Sequence, residues 1–135
     1  MKTVLFVCIG NAGRSQMAEA FFNSMAQGKA QAMSAGTNPA KSVDPKVVEL
    51  MKEVGIDISD RQPKPLTLEM LEQADKVITM GCGVEQACPA TLTETEDWGL
   101  EDPKGKPVEK IREIRDEIRK RVDALIKKLY QSNKR

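Results

Sequence analysis

Short apolar runs alternating with stretches of helical period predict an α/β protein with a parallel sheet and right-handed crossovers. Three observations carry that expectation. Val4-Leu5-Phe6-Val7 is a compact apolar run bounded by glycine, the pattern of a buried strand. It runs directly into Cys8-Ile9-Gly10-Asn11-Ala12-Gly13-Arg14-Ser15, a turn between an expected strand and an expected helix. Near the C-terminus Val108, Ile111, Ile114, Ile118, Val122, Leu125, Ile126 and Leu129 recur at spacings of three and four, which defines an amphipathic helix.

Taken in order, Lys2–Val7 is expected as the first strand. A helix should start at Ser15 and run to about Ala26, with Met17, Ala18, Phe21, Phe22 and Met25 on its apolar face. Gln31–Ser34 reads as a second short strand, closed by Gly36 and Asn38-Pro39. Asp44-Pro45 is an N-cap followed by proline at the first helical position. That helix carries Val47, Val48, Leu50, Met51 and Val54 and stops at Gly55. Pro63 and Pro65 make Asp57 to Leu66 a loop. Leu66-Thr67 opens a short helix to about Gln73, and Lys76–Met80 is a strand. Gly81 to Leu100 lacks a long period and is expected to be irregular, with one helical turn near Cys82–Cys88. Asp102-Pro103-Lys104-Gly105 is a turn before the last helix. No repeat or linker interrupts the chain, so residues 1–135 are expected to form a single domain.

The 135 residues suffice for a real hydrophobic core. A formal net charge of +1 gives no support to nucleic-acid or membrane-surface binding. No stretch approaches the roughly 20 apolar residues that span a bilayer, and the N-terminus reads as a strand rather than a signal peptide. A cytoplasmic address and a monomer are the default expectations. Three cysteines is an odd number, which argues against a secreted disulfide framework. Histidine is absent, so Cys-His pairs, Ser-His-Asp triads and His-ligated metals are excluded. No cofactor or metal is expected. A nucleophilic Cys8 would need activation by something other than imidazole.

The Cys8–Ser15 segment can supply it. At the carboxyl end of a strand in an open α/β sheet, helix N-termini and loop amides meet ligands. The N–H groups from Ile9, Gly10, Asn11, Ala12, Gly13 and Arg14 can converge on an anion, helped by the positive end of the following helix. Gly10 and Gly13 are expected to permit positive φ and close approach. Arg14 offers a planar fork to two oxygens, and the same positive field favours a cysteine thiolate. The Ser15 hydroxyl can donate to that thiolate, whereas Asn11 is expected to hold the loop's shape through its side chain.

Cys8-x5-Arg14-Ser15 near the N-terminus, with Asp102-Pro103 late in the chain, resembles the low-molecular-weight protein-tyrosine phosphatase fold family. The resemblance implies a three-layer sandwich, with a central four-stranded parallel sheet flanked by helices. It also implies that Cys8 attacks a tetrahedral oxyanion and that Asp102 protonates the leaving oxygen, with Glu101 as the neighbouring alternative. A phosphatase needs only Cys8, yet Cys82 and Cys88 are present. With Arg14-Ser15-Gln16-Met17-Ala18-Glu19, Ser34-Ala35-Gly36, Thr79-Met80-Gly81-Cys82, Cys88-Pro89 and Trp98-Gly99, the chain is similar to thioredoxin-coupled arsenate reductases, the redox branch of the fold. That likeness implies a relay in which Cys8 attacks arsenate, Cys82 attacks Cys8, and Cys88 attacks Cys82. A thioredoxin-like partner would reduce the resulting disulfide, and phosphate and sulfate would compete with arsenate. The segment between Cys82 and Cys88 is expected to rearrange, with Gly81 and Gly83 as hinges.

Two departures refine this. Some reductases of this group carry an aspartate that helps bind potassium where Lys64 stands here, which implies a potassium-independent protein with the lysine charge in the cation's place. Lys104-Gly105-Lys106 follows Asp-Pro, where phosphotyrosine phosphatases carry aromatic residues, although Trp98 could still wall the site. A phosphatase using Cys8, Arg14 and Asp102, with Cys82 and Cys88 regulatory, is the alternative reading. A thiol redox sensor or oxyanion-binding protein is a third.

Overall fold

The computed structural model describes residues 2–80 and 94–132. Four strands, β1 (Lys2–Cys8), β2 (Ala30–Gly36), β3 (Lys76–Thr79) and β4 (Glu94–Asp97), form an all-parallel sheet in the order β2-β1-β3-β4. Four helices accompany them among the described residues: α1 (Arg14–Ala26), α2 (Pro45–Lys52), α3 (Leu68–Gln73) and α4 (Val108–Ser132).

β1 is apolar from Val4 to Cys8 because it is central and covered on both faces. Its side chains alternate between two cores, as the period of a strand requires. Val4, Phe6 and Cys8 join the larger core with Met17, Phe21 and Phe22 of α1, Met51 of α2 and Ile111 and Ile118 of α4. Leu5 and Val7 join the smaller one with Ala35 and Val77 of the sheet and Leu71 of α3. The result is helix, sheet, helix, and every parallel strand ends at the edge where Cys8 lies.

Helix boundaries follow local chemistry. Asp44 caps α2 by accepting from the Lys46 amide at 3.0 Å, and Thr67 caps α3 by accepting from the Met70 amide at 3.2 Å. α2 ends in a turn through Gly55, whose φ of 82° suits glycine. α1 starts one residue earlier than its apolar pattern predicts, at Arg14, with Gly13 as N-cap. β2 is longer than expected at both ends. Among the described residues no helix is long and apolar enough to cross a membrane.

One expectation is corrected. The stretch from Gly81 to Leu100 is not irregular throughout, because Glu94–Asp97 is a strand. Glu-Thr-Glu-Asp has no apolar residue, so a hydrophobic period cannot reveal it. Backbone pairing to β3 and a 2.8 Å bond from Thr79 Oγ1 to Asp97 Oδ1 hold it. Its charges suit an edge strand, where they discourage pairing with another chain. The helical turn expected near Cys82–Cys88 lies outside the described residues.

The junction of α2 and α4 is ionic. Glu53 accepts from Arg112 Nε (3.0 Å), Arg112 Nη2 (2.7 Å) and Arg115 Nη1 (2.9 Å), and Arg115 Nη1 also donates to the Leu50 carbonyl. Hydrogen bonds from Arg112, then Arg115, pull the Glu53 carboxyl from 4.5 down to about 2. A carboxyl depressed in the folded state stabilises above its unfolded value, and that stabilisation disappears as pH falls through the folded value. Between roughly pH 5 and 2 the wild-type melting temperature is therefore expected to fall more steeply than that of Glu53→Gln. Equal slopes in thermal melts would contradict this.

Candidate active site

Cys8 closes β1 and is buried at the mouth of α1. Its Sγ lies 2.9 Å from Ser15 Oγ and accepts the Asn11 N–H at 3.2 Å. The next residues form a loop whose carbonyls are taken by a strap between β2 and α2. Thr37 N donates to Cys8 O (3.1 Å), Asn38 N to Ile9 O (2.8 Å), Ala40 N to Gly10 O (2.9 Å) and Asp44 N to Ala12 O (2.9 Å). In a trans peptide the N–H points opposite the C=O. Fixing four carbonyls on the strap therefore turns the amides of Ile9, Gly10, Asn11 and Gly13 away from it, as an anion nest needs.

The conformational burden falls differently from the sequence expectation. Neither Gly10 nor Gly13 has a positive φ; Asn11 does, at 51°. Asparagine tolerates this left-handed conformation better than most residues, and its side chain is fully engaged. Asn11 Nδ2 donates to Ser15 Oγ at 2.7 Å, and Oδ1 accepts from Gln16 Nε2 (3.1 Å) and the Lys64 amide (2.9 Å). The glycines that matter here are needed for space. A methyl group on Gly36 would lie 2.6 Å from the Ile9 carbonyl oxygen and 3.0 Å from the Asn11 nitrogen, and one on Gly13 would lie 2.9 Å from Pro103 Cγ.

Arg14 is buried, and its Nη1 donates to the carbonyls of Met80 (2.7 Å) and Leu100 (2.8 Å). These anchors join the loop to the ends of β3 and β4. Arg14 Nη2 lies 3.9 Å from Asp102 Oδ2, whose side chain is 60% exposed. Asp102 Oδ1 accepts the Lys104 amide at 3.0 Å, which fixes the turn. Glu101 instead pairs with Lys106 and Lys110, and the Lys106 hydrogen bond leads in holding its carboxyl below the ordinary range. Only Asp102 of the two faces the cleft.

The cleft has a volume of about 630 Å³. Cys8, Ile9, Gly10, Ala12, Gly13 and Arg14 form its floor, with a strap wall from Asn38 to Pro45 on one side and Asp102, Pro103 and Lys104 on the other. No aromatic residue lines it among the described residues. Trp98 belongs to the core, with its ring 5.6 Å from that of Phe6 and Nε1 donating to Glu96 Oε2 at 2.6 Å. Cys8, Arg14, Ser15 and Asp102 are thus brought together, while Cys82 and Cys88 lie outside the described residues.

Beneath the loop sits a buried carboxylate, Glu19. It accepts from Ser34 Oγ and from Arg61 Nη1 at 2.7 Å, and Lys64 Nζ stands 3.6 Å from Oε1. Lys64 therefore places a charge beside Glu19 while its own amide holds Asn11. The strap and Gly36 were not identified as site elements from the sequence. The strap acts through backbone bonds, which leave no residue-type signature, and Gly36 was legible only as part of Ser34-Ala35-Gly36.

The family model for the low molecular weight phosphotyrosine protein phosphatase matches residues 3–135. A glutaredoxin arsenate reductase of Synechocystis is 41% identical over 132 residues, covering 96% of this chain and 99% of that protein. A thioredoxin-dependent arsenate reductase of Corynebacterium glutamicum superposes with a TM-score of 0.85 at 41% identity. That match covers 98% of this chain, which spans 63% of the Corynebacterium chain. An arsenate reductase solved in its phosphate-binding state superposes with a TM-score of 0.84, again at 41% identity, covering 95% of this chain and 98% of that one.

Proposed function

Because the chain belongs to the low molecular weight phosphotyrosine protein phosphatase family, we propose that it is an arsenate reductase regenerated by a thioredoxin-like reductant. The observation that carries this is Cys8 itself, buried below a nest of amides and held by Ser15 and Asn11, with an anchored Arg14 beside it. Cys82, Cys88 and the likeness to arsenate reductases turn the reading from hydrolysis to reduction.

In this reading three arsenate oxygens face the loop amides and Arg14. Cys8 Sγ attacks arsenic; an S–As bond forms as an As–O bond breaks, and Asp102 protonates the oxygen, which leaves as water. Cys82 then attacks Cys8 Sγ. An S–S bond forms, the electron pair of the S–As bond stays on arsenic, and arsenite departs. Cys88 displaces Cys8 from Cys82, and a dithiol reductant opens the Cys82–Cys88 disulfide. Such thiol chemistry belongs in a reducing compartment, and the protein acts there as a cytoplasmic monomer. A phosphate ester would fit the same floor, but a cleft with no aromatic wall among the described residues offers little to phosphotyrosine.

Arsenate turnover with purified thioredoxin or glutaredoxin systems tests the assignment. Thioredoxin should support turnover, and Cys8→Ser, Cys82→Ser and Cys88→Ser should each lower kcat by at least about 10³-fold. Wild-type arsenate reduction in the Cys82 and Cys88 variants would contradict the relay, and no reduction by the wild type itself would leave a phosphatase. With Lys64 beside Glu19, turnover should be equal in potassium and sodium salts at matched ionic strength; severalfold activation by potassium would contradict the part assigned to Lys64.

A further inference from the structure

We propose that Gly13 is a positioning residue whose bare α-carbon seats Pro103 and thereby sets the place of Asp102 over the oxyanion loop. The inference rests on the reductase reading only for the role of Asp102 as proton donor.

Gly13 lies between two elements from opposite sides of the cleft. A methyl group on it would stand 2.9 Å from Pro103 Cγ, 3.7 Å from Pro103 Cδ and 3.7 Å from Val47 Cγ2 of α2. The last two are ordinary contacts; the first is not. Pro103 is buried although Glu101, Asp102 and Lys104 around it are exposed. Its ring is therefore a point at which this surface turn packs against the body of the protein. Asp102 precedes that ring directly and is otherwise held by the Lys104 amide, inside the same turn, and by the 3.9 Å approach of Arg14. The Arg14 contacts to Asp102 and to the Leu100 carbonyl tether the turn through a side chain, whereas the Gly13–Pro103 contact bears on it directly from the loop backbone.

To accept a Cβ at Gly13, the ring must retreat by about 0.5–1 Å to reach ordinary contact distance. Displacement of a reacting group by about 1 Å can cost 10²-fold in rate. Anion binding depends on loop amides and Arg14, and is affected less. Gly13→Ala should thus lower kcat by about 10- to 100-fold, with the KM for arsenate within about threefold of wild type. Pro103→Ala removes the clashing ring atoms at some cost of its own.

The test is a double-mutant cycle with Gly13→Ala, Pro103→Ala and the double variant. It is read by arsenate turnover and, in parallel, by p-nitrophenyl phosphate hydrolysis, which requires no relay cysteine. Coupling predicts that adding Gly13→Ala to Pro103→Ala changes kcat by less than about threefold, far less than in wild type. The same fractional loss in both backgrounds would overturn the proposal, because Gly13 would then act through its own loop alone. A crystal structure of Gly13→Ala gives a readout independent of activity. It should show the Pro103 ring displaced and the Arg14–Asp102 separation beyond 3.9 Å; an unmoved Pro103 would contradict the coupling. If wild type fails to reduce arsenate, the reductase assignment falls, while the structure and ester hydrolysis still decide the Gly13 contact.

Discussion

Arg14→Lys is expected to lower kcat/KM for arsenate by about 10³-fold, at the upper end of what loss of one oxyanion donor costs. The reason is a division of labour within one guanidinium. Nη1 is committed to the Met80 and Leu100 carbonyls, which leaves the rest of the planar fork for the oxyanion. A lysine has one ammonium on a flexible stem and cannot reproduce that fork. If it satisfies the two carbonyls, the oxyanion loses its cation; if it turns to the oxyanion, the acceptors of one buried and one partly buried bond lose that partner. Steady-state kinetics with competing phosphate check this. A loss below tenfold, with an unchanged phosphate inhibition constant, would show that the loop amides alone carry the charge.

Gly36→Ala should disable the site from beneath, although Gly36 itself does not line the cleft. Its added methyl would press on the Ile9 carbonyl at 2.6 Å and the Asn11 nitrogen at 3.0 Å, both backbone atoms that cannot rotate aside. The Asn11 amide is the one bonded to Cys8 Sγ, and the Ile9 carbonyl is bonded to the strap at Asn38. Gly36 is itself pinned by bonds to the Lys64 carbonyl and the Leu66 amide, so β2 cannot retreat freely. Overpacking of this kind costs about 1–3 kcal/mol, and the displaced loop should cost about 10²-fold in kcat/KM. Urea unfolding and turnover measured on the same sample check both parts. Activity and stability near wild type would mean that the loop tolerates the shift.

What the sequence reveals of this molecule depends on whether side chains or backbone do the work. β1 and α4 are legible because burial imposes period two on one and spacings of three and four on the other. β4 is hidden because its stability comes from backbone pairing at an edge, with only charged or polar side chains. The same division runs through the site. Cys8, Arg14 and Ser15 announce themselves by chemistry and position. The strap that aims the loop amides is made of N–H groups from Thr37, Asn38, Ala40 and Asp44, which almost any residue could supply. The left-handed turn was expected at glycine but falls on Asn11, whose side-chain bonds to Ser15, Gln16 and Lys64 are visible only in three dimensions. Trp98 illustrates a different ambiguity: its position near Asp102 in sequence admits a cleft wall, yet the indole packs on Phe6. The relay cysteines are legible as chemistry and lie outside the described residues.

The claim that Cys8 works with Cys82 and Cys88 is tested most directly by one anaerobic turnover of fully reduced protein with arsenate. Thiol alkylation and peptide mapping follow, with released arsenite quantified in the same tube. The relay predicts stoichiometric arsenite, a free Cys8 and a Cys82–Cys88 disulfide. Three alkylatable thiols and no arsenite would contradict it.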